Sequence, residues 1–146
     1  MNPNRPSLDD PTILPSCELW RRLNPDFCVP DESSKTGWRI SSGAFDDSSD
    51  SSPMSVRVAD KMAELGLGLE TVLTPQQLQE GWGLATIAAG TVRQYGQIVY
   101  YSYELGEPAH GSVEGKKPPK IRKKLSAASR SLIAADCAKF SPNRQR

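Results

Sequence analysis

The only histidine of the chain, His110, stands in "EPAHGSVEGKKPPKIRKK", residues 107–124, six positions before a dense basic run. An imidazole changes charge near neutral pH. A lone histidine can therefore act as acid, base or phosphate ligand, provided that other polar groups meet it. Arg39, Ser41, Ser42 and Arg93 are the polar residues set in otherwise apolar surroundings. Arg39 and Arg93 beside His110 would make a pocket for phosphate or carboxylate, because a guanidinium fork matches either anion. In that reading the chain is a small enzyme on a phosphorylated or nucleotide substrate. His110 is the acid or base, Arg39 and Arg93 hold the anion, and Ser41 stands beside them. The plainer reading makes His110 a half-exposed cap on the turn after Pro108.

The basic run supports a different chemistry. "KKPPKIRKK" holds six basic residues in nine, and residues 115–146 carry ten Lys or Arg against the single acid Asp136. That segment is +9 within a chain of net charge +1, so the preceding residues are −8. Such asymmetry points to an interaction surface for something anionic. Lys116, Lys117, Lys120, Arg122, Lys123, Lys124 and Arg130 would pair with nucleic-acid phosphates or with an acidic protein surface, in a steeply salt-dependent way. They would not read sequence, and without interleaved aromatic residues they would not stack on single-stranded bases. The alternative is that the basic segment docks on the acidic body of its own chain.

Other chemistries lack their residues. One histidine and three scattered cysteines, with no C-x-x-C, make no metal site. The Asp-rich stretch 46–50 lacks the alternation of a calcium loop. No G-x-S-x-G elbow supports Ser41 or Ser42 as a nucleophile, and "GLGLE" is not a phosphate loop. No cofactor is implied. Cys17, Cys28 and Cys137 are odd in number and widely spaced, so no disulfide is expected. No apolar run approaches the ~20 residues of a membrane span, and the first residues lack a secretory pattern. The expected setting is the cytoplasm, with no membrane partner.

The elements that must position these residues follow from periodicity and punctuation. Residues 1–16 hold four prolines and read as an extended arm. Leu19, Trp20 and Leu23 suggest a short helical turn. Phe27 and Val29 alternate as in a strand, and "TGWRISSGAF" reads as a further strand. "DDSSDSSP" is a polar loop, after which Ser52 as cap, Pro53, and a stripe of Met54, Val58, Met62 and Leu65 predict a helix over 53–65. Thr74 and Pro75 open a second, short helix. Residues 84–95 form one helix, or a strand at 83–88 followed by a short helix. "QIVYYSYEL" and "AHGSVEG" read as two strands joined by a turn. Ile121, Leu125, Ala128, Leu132 and Ala135 share one helical face, which predicts a basic amphipathic helix over 119–140. The expectation is an α+β domain over 17–140, with a small mixed or antiparallel sheet, a central helix and a basic C-terminal helix, followed by a basic tail over 141–146.

The strings "GWRISSGAF", "PMSVRVAD" and "EPAHGSVEGKK" together resemble a pattern, R-x-S-S-x-A-F … M-S-V … P-A-H, found in small bacterial proteins of uncharacterised function. The resemblance spans residues 18–126, with Arg39, Ser41, Ser42, Met54, Ser55 and His110 at the matching positions. It implies a bacterial chain and a shared site around Arg39 and His110, without specifying chemistry. The leading expectation is a non-catalytic accessory or adaptor protein of a bacterial assembly, engaging nucleic acid or an acidic partner through its basic segment. The enzyme reading is the alternative.

Overall fold

The computed structural model describes residues 7–49, 52–102 and 106–140. The tail over 141–146 and the first six residues of the proline-rich arm lie outside the described residues. Among the described residues the strands are β1 (Glu18–Leu23), β2 (Cys28–Pro30), β3 (Trp38–Ile40), β4 (Met54–Val58), β5 (Gly83–Ala88), β6 (Ile98–Tyr101), β7 (His110–Glu114) and β8 (Arg130–Ile133). The α-helices are α1 (Ala59–Glu64), α2 (Pro75–Gln79), α3 (Ala89–Gln94) and α4 (Pro119–Ala128). Six strands form one antiparallel sheet in the order β6-β7-β4-β1-β5-β8, and β2 pairs with β3. The architecture is α+β.

Two helical expectations are corrected for one physical reason. The helix over 53–65 is a strand, β4, followed by the six-residue α1, and the helical turn at 19–23 is the strand β1. A spacing of four residues puts two side chains on one face of a helix and also on one face of a strand. Leu19 with Leu23, and Met54 with Val58, carry that ambiguous spacing. Val56 resolves it. It is buried together with Met54 and Val58, as alternation requires, whereas on a helix it would lie ~200° round from Met54.

The helix over 119–140 is also cut short. Beyond Ala128 the chain turns at Ser129, whose backbone is extended, and β8 adds to the edge of β5. There it satisfies backbone groups of β5 that a continued helix would leave unpaired. Leu132, read as part of a helical face, packs instead with its neighbour Ile133 on a small cluster with Met62, Val72, Leu84 and Ala109. In the 84–95 region the second alternative holds, a strand followed by α3.

The main core lies on one side of the sheet. Leu19, Leu23, Met54, Val56, Val58, Ile87, Val99 and Val113 pack under Ile13, Phe45, Ala89, Val92 and Leu125. Ile13 comes from the N-terminal segment, whose described part lies against the domain. The Asp10 amide donates to the Val99 carbonyl, and the Val99 amide donates to the Asp9 carboxylate. These bonds occupy the outer edge of β6.

The thiol expectation is overturned. Cys28 and Cys137 form a disulfide across 109 residues of sequence, and only Cys17 among the cysteines is free, and buried. The spacing concealed the pair because β2 and the short 3-10 turn Cys137–Phe140 meet only in three dimensions. Among the described residues no helix is long and apolar enough to cross a membrane.

Candidate functional site

Alternation along β1 sends two adjacent arginines to opposite sides. Arg21 shares its side with Leu19 and Leu23, while Arg22 shares the other with Trp20. Cross-strand register then builds a polar row on that second face. Trp20 lies opposite Thr86 and Arg57, and Arg57 lies opposite His110. Beside it, Ser55 lies opposite Ser112, and Ser112 opposite Tyr100.

A cleft of about 500 Å³ opens around the end of β1. Arg21, Arg22, Asn24, Phe27, Asp47, Ser48, Ser55, Trp82, Glu107 and His110 line it. Three strand ends meet here, the C-terminal end of β1 and the N-terminal ends of β4 and β5, and His110 reaches the cleft from the start of β7, which pairs with the C-terminal part of β4. The strings "MSV" and "EPAH" thereby place Ser55 and His110 in one cleft.

His110 is buried within β7, not a half-exposed turn cap. Its Nδ1 lies 2.7 Å from the Ser102 carbonyl oxygen and 2.8 Å from Ser102 Oγ. A carbonyl oxygen only accepts, so Nδ1 carries a proton and Nε2 is the basic nitrogen of the neutral ring. Ser112 Oγ donates to Ser102 Oγ at 2.7 Å, which locks this partner in turn. The carbonyl acceptor sets the tautomer and the orientation of the ring. Glu107, three residues earlier, is half-buried and accepts from the nearly buried Arg57 guanidinium.

Arg21 shapes the floor. Its Nε donates to the Ala44 carbonyl at 3.0 Å, its Nη1 to the Ser55 carbonyl at 3.0 Å, and its Nη2 to the Asp46 carbonyl at 3.4 Å. Burial pushes its pKa down to about 10, with adjacent Arg22 adding to the effect. Ser48 Oγ donates to Ser55 Oγ at 3.1 Å and ties the 46–49 loop to β4.

Arg39 and Arg93 are not brought to His110. Arg39 is exposed on β3, 3.6 Å from Asp31, and lines a different, more apolar cleft of about 310 Å³ with Trp38 and Cys137. Arg93 on α3 donates to the Asp9 carboxylate and to the Asp10 carbonyl, both at 2.9 Å. Ser41 Oγ accepts from the Gly43 amide and caps the 3-10 turn Ser42–Phe45. The sequence reading gave Ser55 only as a position of the resemblance and Phe27 only as a strand residue, and it gave no part in a site to Arg22, Glu107 or Trp82. Reading "LWRRL" as a strand would have aligned Arg22 with Trp20. Glu107 carried a signal only in its closeness to His110.

The basic residues divide into two groups. Lys117 is buried, and its ammonium donates to Asp47 at 2.6 Å, to the Val113 carbonyl at 2.9 Å and to the Gly115 carbonyl at 3.1 Å. Arg122 meets Asp46 at 2.9 Å and Arg130 meets Glu18 at 3.4 Å. Lys124 stands 5.5 Å from the centre of the Tyr95 ring. Lys116, Lys120 and Lys123 are exposed, and among the described residues no carboxylate pairs with them. No group of His, Cys, Asp and Glu suited to a metal ion occurs among the described residues.

Comparison with known protein families, curated proteins and solved structures gives no match to this chain.

Proposed function

We propose that the chain is a small enzyme acting on a nucleotide or similarly phosphorylated substrate, bound in the cleft at the end of β1. The observation that carries this reading is His110, buried, held through Nδ1–H on a backbone carbonyl, and lining the same cleft as Arg22 and Glu107. Arg22 is the phosphate ligand. Phe27 and Trp82 offer ring faces for a base, since stacking tolerates any base. His110 is the acid or base, and Glu107 is a carboxylate for a ribose hydroxyl or a developing positive charge. These roles move the anion site of the sequence reading from Arg39 and Arg93 to Arg22.

Side-chain and backbone NMR shifts during titration with AMP, ATP and NAD test the reading. The expected result is saturable shifts at the Trp82 indole and the His110 ring, with Arg22→Ala weakening affinity ~10–100-fold, the worth of one charged hydrogen bond. His110→Gln is expected to keep binding while losing turnover of the bound nucleotide. A titration that leaves Trp82 and His110 unmoved would sink the assignment.

A second reading rests on Lys116, Lys120, Lys123 and Lys124, which all face solvent. In it the chain is a bacterial adaptor whose exposed lysines engage nucleic-acid phosphates or an acidic partner. Lys117, Arg122 and Arg130 drop out as contacts, since carboxylates of the same chain already hold them. Salt-dependent binding to duplex DNA that disappears in the Lys120→Glu, Lys123→Glu double variant is the expected outcome. Binding unchanged by that charge reversal would remove this reading. A cytoplasmic address fits either reading if the disulfide is redox-active, because disulfides in reducing compartments are mainly transient or regulatory.

A further inference from the structure

We propose that the Cys28–Cys137 pair is a thiol–disulfide exchange site that gates the cleft: the oxidised chain holds its ligand and the reduced chain releases it. The inference rests on the cleft being the ligand site.

The geometry begins with the strap formed by residues 134–138, which follows β8. Three anchors hold it. Cys137 is bonded to Cys28, the Asp136 amide donates to the Gly81 carbonyl at 2.8 Å, and the Ala135 backbone lies against Gly83. That last approach is so close that a Cβ on Gly83 would stand 2.6 Å from the Ala135 nitrogen. Cys28 directly follows Phe27, and Gly81 directly precedes Trp82. One strap is therefore tied beside both ring-bearing walls of the cleft.

Of the three anchors the disulfide is the only covalent one, and apolar burial adds little to them. Residues 134–138 belong to neither hydrophobic cluster, and Ala134, Asp136 and Ala138 are exposed. Segments with few buried contacts open at low cost. Cys28 is 1% exposed, whereas Cys137 is half-buried, so Cys137 is the more accessible end. A thiolate of a dithiol reductant attacks Cys137 Sγ, forms a mixed disulfide and expels Cys28 as thiolate, which takes up a proton. The second thiol of the reductant then attacks the mixed disulfide. It frees Cys137, also protonated, and the reductant leaves as its own disulfide. Cys17 stands outside this chemistry, since burial raises its pKa and keeps it a thiol.

The test compares AMP, ATP and NAD titrations of the oxidised full chain, the same chain in dithiothreitol, and the Cys28→Ser, Cys137→Ser double variant. Hydrogen exchange is followed at 24–28, 81–83 and 134–138. Free-thiol counts verify one thiol in the oxidised chain and three in the reduced chain. The expected result is at least ~10-fold weaker binding after reduction, with faster exchange at those segments and an unchanged far-UV spectrum. The reduced wild type supplies the answer should the double variant fail to fold. Equal affinity in oxidised and reduced chains would overturn the gate and leave the ligand site standing. No binding by any form would overturn the ligand site, and the gate with it. Binding that weakens without faster exchange at 134–138 would also overturn the gate, because the strap would not have moved.

Discussion

The two sides of the six-stranded sheet are made from the same strands and do opposite work. On one side Leu19, Val56, Val58 and Val113 lie beneath helices and the N-terminal segment and exclude water. On the other, Arg57, His110 and Ser112 alternate with those residues and are held in hydrogen bonds, beside the small apolar cluster that Trp20 joins. The contrast shows how a single short strand serves both ends: "LWRRL" gives Leu19 to the core and Arg22 to the cleft. It also separates what stabilises the fold from what the fold presents to a ligand.

The largest expected effect breaks the packed side. Leu19→Ala removes a fully buried side chain and is expected to cost about 2–5 kcal/mol of unfolding free energy in urea titrations. Arg22→Ala, on the other side of the same strand, is expected to cost well under half as much stability while weakening nucleotide binding ~10–100-fold. Equal destabilisation by the two would erase the distinction between the sides.

Next comes Arg21, the cation that stands on the packed side. Its three bonds to carbonyl groups bridge β1, the 3-10 turn and β4. Arg21→Met is expected to cost about 2–3 kcal/mol by denaturant unfolding, since charge-assisted hydrogen bonds are lost and their acceptors are left partly unpaired. Arg21→Lys should recover only part of that, because an ammonium lacks the planar fork. Full recovery by lysine would mean that charge alone, not fork geometry, holds the floor of the cleft.

A smaller effect sharpens the division within the basic segment. Lys117→Met breaks a pair with Asp47 and two bonds to carbonyls. It is expected to lower stability by about 1–3 kcal/mol. The smallest effect belongs to Lys120→Met, on the exposed side of α4, expected within about 0.5 kcal/mol of wild type. If the two substitutions behaved alike, Lys117 would be one more solvated lysine and the contrast between them would vanish.

Where local chemistry alone dictates structure, the sequence was legible. Thr74 and Gln77 form a reciprocal cap at 3.0 and 2.9 Å, as "TPQQ" announces. The β6–β7 pairing follows from propensity and a turn between the strands. The charge split was legible as well, and Asp46 and Asp47 of the acidic loop turn out to hold Arg122 and Lys117. The failures share a cause. Leu19/Leu23 and Met54/Val58 have a spacing that helix and strand both accept, so periodicity over four residues could not choose. Only the neighbouring strands choose, by pairing with one and excluding the other.

The candidate site shows the same boundary. That His110 is the single imidazole, and that basic charge gathers near the C-terminus, are properties of the chain as written. That His110 is buried with Nδ1 on Ser102, that Arg22 rather than Arg39 or Arg93 shares its cleft, and that Cys28 finds Cys137 are decided by the tertiary structure. The physical reason is range. Caps, turns and propensities act over about four residues, within one turn of chain. A cleft is built where strand ends distant in sequence converge, and the register that aligns them is set by burial of the whole sheet face at once.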